Sequence, residues 1–340
     1  MPKRKRTTES GGKASKVQRT RDVDTFITAN RNTNTSATYS SGWRKFVEWV
    51  NDVENPMRRK RDAVDIERPD ECDVAAYMMH MFGTNNAKLG TITSAVAAIS
   101  DHLRTTVDGT YPNPCNGERV RRMKAVLVTI TRPPSQKREI TWPQLLAIHA
   151  AAIEVGTAAA DRDSCMMTLA YFAYLRVSEV VRMNREDITF TNEHVEGHTR
   201  KVTVMHVHVD RMAKNDAERK GHDRTIQARP KGEYCMVRRM HAYVATMPNG
   251  PLFPSVTGNR LSVNTPQWCL KQWLSAIGAT DPEAYGFHSM RAGAATDAAK
   301  AGVEERHIKL HGNWKSDAVR VYIRPDLNDR LAASNALGRA

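Results

Sequence analysis

A small set of residues, most of them near the carboxyl end of the sequence, has the types and spacing needed for chemistry on a phosphate group. His288 and Arg291 stand three residues apart, which places them on the same face of one helical turn. Tyr322 lies eight positions after Trp314, and Arg176 lies far upstream, directly after an apolar segment. A guanidinium group matches phosphate with a planar fork, and a phenol can act as a nucleophile. Elements from distant parts of the chain must bring these side chains together.

The charge balance of the chain indicates a polyanionic partner. The 340 residues include 51 Lys and Arg against 37 Asp and Glu, a formal net charge of +14 at pH 7. An excess of this size favours nucleic acid as the partner. Hydrophobic residues make up 40% of the chain, which is enough to build cores and excludes wholesale disorder. No apolar run reaches the roughly 18 residues that a membrane span needs, so no membrane partner is expected.

The five cysteines form no disulfide or zinc pattern. They are odd in number, scattered, and never spaced as CxxC, which argues against a disulfide framework and against a zinc ribbon. Free cysteines fit a reducing compartment. The cysteines are Cys72, Cys115, Cys165, Cys235 and Cys269.

Residues 1–22 form a polar, basic tail rich in Gly, Ser and Thr, a composition typical of disorder. The run from Lys3 to Arg6 has no apolar stretch behind it, so it is not a secretory signal. It matches a nuclear import signal, a DNA-contacting arm or simply a solvated tail, and its position at the extreme terminus favours import. We therefore expect a protein of the nucleus, or of the nucleoid if the source is prokaryotic.

Apolar periodicity predicts a helical unit over residues 23–130, with four or five helices. The clearest helix carries apolar residues at steps of 3, 4, 3 and 4 between Leu89 and Leu103. The next segment, residues 131–139, combines two prolines with several charges, which is typical of a linker. We expect a domain boundary there.

Residues 140–340 are predicted to form a second unit that is helical with a small sheet. The segment 201–210 alternates and is rich in β-branched residues, which predicts a strand, and residues 224–227 resemble its return strand. From residue 264 onward the pattern is helical, with breaks at proline and glycine. The fold class expected for the chain is therefore mainly α with a small antiparallel β-sheet.

The residues around Arg176 and Tyr322 resemble those of the tyrosine recombinase (phage-integrase-like) family. The family pattern is an Arg in an LRxSE context, a Lys on a β-hairpin, an HxxR pair, a His or Trp after a glycine, and a Tyr shortly beyond. The resemblance implies a catalytic domain over residues 140–340 and a helical, DNA-clamping core-binding domain over residues 23–130. The matching positions are Arg176, Lys214, His288, Arg291, Trp314 and Tyr322.

The stretches HSMRAGAAT and GNWKSDAVRVYIR look closest to recombinases of eukaryotic mobile elements such as Cryptons. Many phage and bacterial members have one residue more between the positions of Trp314 and Tyr322, so the shorter spacing is similar to that of the mobile-element group. The resemblance implies a site-specific DNA recombinase of a mobile element. Such an enzyme cleaves and rejoins DNA strands through a 3′-phosphotyrosine intermediate, as a homo-tetramer on double-stranded DNA.

The resemblance also implies a role for each matching side chain. Tyr322 attacks the scissile phosphate, while Arg176 and Arg291 hold its non-bridging oxygens. His288 hydrogen-bonds the phosphate or accepts the tyrosine proton. Lys214 protonates the departing 5′ oxygen as a general acid. Because cationic side chains supply here what a metal supplies in other nucleases, neither a metal nor another cofactor is expected.

Two further residues have supporting roles by the same resemblance, and two positions stay open. Trp314 donates its indole N–H and packs the pocket, and Glu179 holds His or Arg side chains. Lys220 lies six residues after Lys214 in the same polar loop and is the alternative general acid. His311 is the alternative to Trp314.

Two basic runs in the helical unit are candidate DNA contacts. In a DNA clamp they contact phosphates, which gives affinity and salt dependence rather than sequence choice. Otherwise they are solvated edges of helices. The residues are Arg58, Arg59, Lys60, Arg61, Arg119, Arg121, Arg122 and Lys124.

Two other functions are compatible with these motifs. A type IB topoisomerase-like relaxing enzyme would keep the chemistry and act as a monomer, and a catalytically silent DNA-binding protein would keep only the fold. Strand exchange between two marked duplexes separates the recombinase from the relaxing enzyme. A silent protein is expected to have decayed motifs, and the motifs of this sequence are intact.

The segment after Pro325 carries an amphipathic pattern, with Leu327, Leu331 and Leu337 beyond the candidate nucleophile. The pattern indicates a helix that docks on a neighbouring protomer. Deletion of residues 326–340 is therefore expected to abolish assembly of a tetramer on DNA, measured by the size of the protein–DNA complex in solution. Tetramers that form unchanged after the deletion would refute the docking role.

Overall fold

The computed structural model of the chain describes Val23, Phe26, Ile66, Leu331 and residues 33–52, 68–106, 111–131, 135–209 and 221–324. Several predicted features lie outside these residues: the basic tail, the run Arg58–Arg61, the lysines Lys214 and Lys220, and all of the segment 326–340 except Leu331. The chain divides into two compact units, residues 1–134 and 135–340. The division falls inside the segment 131–139, and the finer domain bounds stay predictions.

The first unit is helical in its described residues. Helices α1 to α4 span Thr33–Asn51, Glu71–Gly83, Leu89–Thr106 and Glu118–Ile130, with a short 3₁₀ turn at Pro114–Asn116. Asp70 begins α2 as an N-cap, because its carboxylate accepts hydrogen bonds from the backbone N–H groups of Cys72 and Asp73. The apolar positions spaced three and four residues apart face one core, which includes Phe46, Met78, Ile92, Ile99 and Leu127.

The second unit contains seven helices and a small sheet, within the residues that are described. Helices α5 to α11 span Trp142–Val155, Ala158–Phe172, Val177–Arg182, Met236–Ala245, Thr265–Ala276, His288–Lys300 and Glu305–Gly312. Short 3₁₀ turns cover Arg185–Asp187, Pro282–Ala284 and Asp317–Val321. None of the described helices is long and apolar enough to cross a membrane.

The sheet has three antiparallel strands in the order β1-β2-β3. They span Ile188–Glu193, Val202–Val209 and His222–Gln227. Val207 in the central strand pairs with Ile188 on one side and with Arg224 on the other. The fold class expected from the sequence, mainly α with a small antiparallel sheet, is confirmed. Sequence patterning predicted β2 and β3 but not β1, whose sequence ITFTNE is buried only at its first residue.

Helix α6 is the central element of the second unit. Nearly every residue from Ala160 to Tyr171 is buried, and the helix packs against α5, α8, α9 and α10. A helix buried on all sides fixes its own end firmly, because no face is free to shift toward solvent. Its carboxyl end leads through Tyr174, a non-glycine residue with φ of 50°, directly to Arg176.

Helix α10 packs unusually close to the segment that opens the second unit. The Ile140 backbone N–H donates to the carbonyl of Ser289 over 3.1 Å, and the Ser289 hydroxyl donates to the carbonyl of Arg138. A Cβ atom at Gly293 would lie 1.9 Å from the Ile140 carbonyl oxygen, a contact that only a backbone shift could relieve. Glycine at this position therefore allows the helix that carries His288 and Arg291 to approach this segment.

The substitution Gly293→Ala is expected to destabilise the protein by about 1–3 kcal/mol, because the added methyl group overpacks a backbone contact. Chemical denaturation of the full chain measures the loss. Gly90→Ala in α3 is the matched control, since a Cβ there meets nothing within 4 Å and alanine favours a helix. Equal stability of the two variants would contradict the close-packing role of Gly293.

Candidate active site

Arg176 is fixed at the start of α7 by a carboxylate one helical turn away. Its backbone N–H donates to Glu179 Oε2 over 2.8 Å, and its Nη1 donates to Glu179 Oε1 over 2.6 Å. Both side chains are largely buried, with 13% and 4% of their surfaces exposed. Removing Glu179 would leave a nearly buried guanidinium unpaired. Glu179 therefore orients Arg176.

Arg291 is fully buried on α10 and is held by main-chain carbonyls. Its Nη2 donates to the Gly312 carbonyl over 2.6 Å, and its Nη1 donates to the Tyr174 carbonyl. Among the described residues its Nε has no hydrogen-bond partner. A guanidinium has five N–H groups, so Arg291 keeps donors that a further acceptor can use.

An aromatic pair lies beside this guanidinium. The guanidinium carbon of Arg291 lies 3.9 Å from the centroid of the Trp314 ring and 5.6 Å from that of Tyr322. The two rings are 5.3 Å apart. Tyr322 is half-buried just after the last 3₁₀ turn, and its carbonyl accepts a hydrogen bond from Thr296 over 3.2 Å. The phenol and the guanidinium of one chain are therefore near neighbours.

The site carries more positive than negative charge. Burial, together with the neighbouring charges of Arg176 and Arg224, lowers the pKa of Arg291 to about 9, while Glu179 opposes this shift. A lowered pKa means that the surroundings disfavour the charged form. An anion bound between these arginines would relieve the excess. The site is thus prepared electrostatically for a group such as phosphate.

The family model described as "Phage integrase family" matches residues 139–328, more than half of the chain and the whole span from Arg176 to Tyr322. The chain belongs to the phage integrase family. The family is that of the tyrosine recombinases, as the sequence motifs predicted.

Similar proteins agree with this membership. An "Integrase/recombinase xerD homolog" from Selenomonas ruminantium is 25% identical over 319 residues, covering 90% of this chain and 85% of the relative. A structure of a lambda integrase tetramer bound to a Holliday junction matches with a TM-score of 0.58 and 14% identity, over 92% of this chain and 77% of that one. The Tn1549 transposon integrase in complex with circular intermediate DNA matches with a TM-score of 0.58 and 15% identity, over 94% and 98% of the two chains.

The two histidines predicted in this integrase-family site differ in their surroundings. His288 is the first residue of α10 and is exposed, whereas Arg291 on the same turn is buried. His311 donates through Nε2 to the Phe172 carbonyl over 2.7 Å and packs edge-on against Tyr174. Of the two candidates for one position, Trp314 and not His311 is the side chain stacked on Arg291.

Sequence reasoning missed one buried cation of the integrase-family site. Arg224 on β3 has only 2% of its surface exposed. Its Nε donates to the Ala173 carbonyl over 3.0 Å, and its Nη2 to the Gly312 carbonyl over 3.4 Å. The alternation of β3 gave a signal, because Arg224 shares the buried face of that strand with Ile226. A charge on the apolar face of a strand is rare unless it has a partner.

The basic run of α4 lies in the first unit and is solvent-facing. Arg121 and Arg122 form ion pairs with Glu118, and Arg119 pairs with Glu71. Lys124 is half-buried. These exposed pairs contribute little to stability, so the arginines remain available to other partners.

The histidines on the central strand form cross-strand pairs with carboxylates. His206 lies 3.1 Å from Glu193, and His208 lies 2.8 Å from Asp223. In the described parts of the chain no group of three or more His, Cys, Asp or Glu side chains is placed to hold a metal ion.

Protonation of His311 is expected to destabilise the fold. Burial, with smaller contributions from Arg224 and Arg291, lowers the pKa of His311 below its ordinary value of about 6.5. Below that pH the unfolded chain takes up a proton that the folded chain resists, so the free energy of unfolding falls as the pH falls. Denaturation of wild type and His311→Gln at several pH values measures this dependence.

The variant should lose less stability than wild type between pH 7 and pH 5, as Gln can donate to the Phe172 carbonyl without titrating. Some dependence should remain, because burial also lowers the pKa of His149 and of His102. Identical pH dependence in the variant and wild type would contradict the assignment.

Proposed function

We propose that this chain is a site-specific DNA recombinase that cleaves and rejoins DNA strands through a 3′-phosphotyrosine intermediate. The observation that carries the proposal is the placement of the Tyr322 ring beside the buried, main-chain-anchored guanidinium of Arg291 within one chain. Membership of the phage integrase family supports the same reaction. The net charge of +14 supports DNA as the substrate.

In the proposed reaction the Tyr322 oxygen attacks the scissile phosphorus and the bond from phosphorus to the 5′ oxygen breaks. Arg176 and Arg291 hold the non-bridging oxygens, whose charge grows in the transition state, so their contacts accelerate the step. His288 accepts the phenol proton, and Lys214 gives a proton to the departing 5′ oxygen, with Lys220 as the alternative donor. Reversal with another 5′ hydroxyl rejoins the strand, so no external energy source is needed.

The packing around Arg291 supports the clamp role. Trp314 covers one face of the guanidinium, which excludes water and strengthens the electrostatic contact with a phosphate. The N–H groups lie in the guanidinium plane, so ring stacking leaves them free to donate. The roles of Trp314 in packing and of Glu179 in holding Arg176 follow from the same contacts.

The proposal extends to the biological setting. A mobile element is supported by the motif wording similar to Crypton-type recombinases and by the fold shared with the Tn1549 transposon integrase. A homo-tetramer on two DNA sites is supported by the fold shared with the lambda integrase tetramer. The basic runs of residues 58–61 and 119–124 would hold DNA phosphates, and the run Lys3–Arg6 would direct the protein to the nucleus.

The proposal predicts a covalent protein–DNA adduct that depends on the Tyr322 hydroxyl. Wild-type protein is incubated with a pool of nicked duplexes of randomised core sequence, in which cleavage releases a short fragment and traps the intermediate. Adducts that resist denaturation are separated on a gel and their DNA is sequenced. We expect wild type to form the adduct and Tyr322→Phe to lose it completely, because phenylalanine has no nucleophile.

Tyr285→Phe is the matched control, since Tyr285 is buried in the same unit and its hydroxyl accepts a hydrogen bond from Gln144. It should form the adduct as wild type does. An adduct that persists in Tyr322→Phe would overturn the nucleophile assignment. Binding without any adduct from wild type would favour the silent DNA-binding protein instead.

A further inference from the structure

Arg224 is a buried cation that no family motif of this sequence includes. It lies on β3, where its side chain is 2% exposed. Burial, partly opposed by the nearby Glu179, lowers its pKa to about 10, and the adjacent Arg176 adds to the lowering. Its side chain donates hydrogen bonds to two backbone carbonyls. Burying a charge is unfavourable unless the charged group gains such hydrogen bonds. The two carbonyls therefore stabilise the buried guanidinium, and the guanidinium in turn fixes the carbonyls.

The two carbonyls bound by Arg224 are at the ends of helices that lead into the site. Ala173 caps the end of α6, three residues before Arg176. Gly312 is the last residue of α11, two residues before Trp314. Carbonyl groups at a helix end have no partner within the helix and carry partial negative charge. A buried guanidinium that binds both of them ties the two helix ends together.

The Gly312 carbonyl is shared between two arginines. It accepts a hydrogen bond from Arg291 over 2.6 Å and one from Arg224 over 3.4 Å. Gly312 itself cannot carry a side chain, because a Cβ there would lie 1.8 Å from the Trp314 ring. The turn that follows is also linked to β3, since the side-chain nitrogen Nδ2 of Asn313 lies 3.2 Å from His222 Nδ1. The acceptor that orients Arg291 is thus itself fixed from β3.

We infer that Arg224 is a positioning residue for the phosphate clamp: it holds the carbonyls of Ala173 and Gly312, and through the Gly312 carbonyl it keeps Arg291 in the orientation needed to bind the scissile phosphate. This inference rests on the proposed recombinase function. It assigns to β3 a part in the chemistry that does not require Arg224 to touch DNA.

The test compares Arg224→Met and Arg224→Lys with wild type in single-turnover cleavage of the DNA sequence recovered from the adduct. Displacement of a reacting group by about 1 Å can cost on the order of 100-fold in rate. We expect Arg224→Met to cleave about 10- to 100-fold more slowly, with DNA affinity within about twofold of wild type because no DNA contact is lost. Arg224→Lys, which keeps the charge but has a single donor nitrogen, should recover part of the rate.

A second DNA substrate distinguishes a misplaced arginine clamp from a general structural defect in Arg224→Met. A methylphosphonate at the scissile position lacks one charged oxygen, so its cleavage depends less on the arginine clamp. The deficit of Arg224→Met relative to wild type should therefore shrink on this substrate. A deficit of the same size on both substrates, or no deficit on the phosphodiester, would overturn the inference.

Arg260→Met is the matched control. Arg260 also donates to backbone carbonyls in this unit, those of Val181 and Met183 over 3.0 and 3.4 Å, but not to the Gly312 carbonyl. It should cleave both substrates in the same ratio as wild type. A changed ratio in this control would show that loss of any carbonyl contact produces the effect, and would overturn the specific role of Arg224.

One readout is independent of cleavage. The backbone N–H groups of Asn313 and Trp314 donate to the carbonyls of Leu310 and Lys309 over 3.1 and 3.0 Å. Hydrogen exchange at these two amides in the full chain without DNA should quicken in Arg224→Met and stay unchanged in Arg260→Met. Unchanged exchange in Arg224→Met overturns the inference even if wild type forms no adduct. A missing wild-type adduct, by contrast, counts against the proposed function.

Discussion

The structure of the site depends on one interaction: a fully buried guanidinium, that of Arg291, held by the carbonyls of Tyr174 and Gly312. Removing a charge from water costs several kcal/mol, so the fold must supply strong acceptors in return. It does so with backbone groups, which explains two unusual backbone positions. Tyr174 adopts a positive φ of 50° just after α6, and Gly312 admits the Trp314 ring where any side chain would collide.

The charge arrangement shows why such a site is stable yet ready for an anion. Among the described residues, Glu179 is the carboxylate that pairs with Arg176 and also opposes the lowering of the pKa values of Arg224 and Arg291. Three guanidinium groups therefore share one nearby negative charge. Their mutual repulsion is a cost to the folded state that a bound phosphate would remove. The folded state is thus less stable than it would be without this repulsion, and in return the site favours binding of an anion, a common feature of functional sites.

Local patterns in the sequence predicted much of this arrangement. The apolar steps between Leu89 and Leu103 identify a helix because helical periodicity needs no tertiary information. The residue types around Arg176 and Arg291 carry the family pattern. The structure brings Arg291 next to Trp314 and Tyr322, and it places Arg176 near enough to Arg291 for its charge to lower the pKa of Arg291. Strand β1 escaped prediction because an edge strand exposed over most of its length lacks the buried alternation that marks β2.

Arg224 escaped prediction for a different reason. Its partners are backbone carbonyls 51 and 88 residues away in the chain. Every residue has a backbone carbonyl, so the residue types at those positions do not show that they bind a cation. The same holds for the acceptors of Arg291, because the carbonyls of Tyr174 and Gly312 are groups that every residue type carries. The sequence shows which side chains are able to do chemistry. The main-chain groups that orient them can be identified only from the fold, which brings the ends of helices α6 and α11 to the same arginine.

The use of carbonyls instead of carboxylates has a chemical consequence under the proposed function. A carboxylate on Arg291 would neutralise its charge and compete with phosphate for the same in-plane donors. A carbonyl accepts one N–H and leaves the net charge intact. Trp314 then covers the face of the guanidinium, where no donor is lost, and lowers the local dielectric so that the remaining charge acts more strongly. Arg176, with Glu179 already bound, contributes a weaker charge but a fixed direction. The two arginines are therefore not equivalent: Arg291 keeps its full charge for the phosphate, whereas Arg176 is partly neutralised but held in a fixed direction.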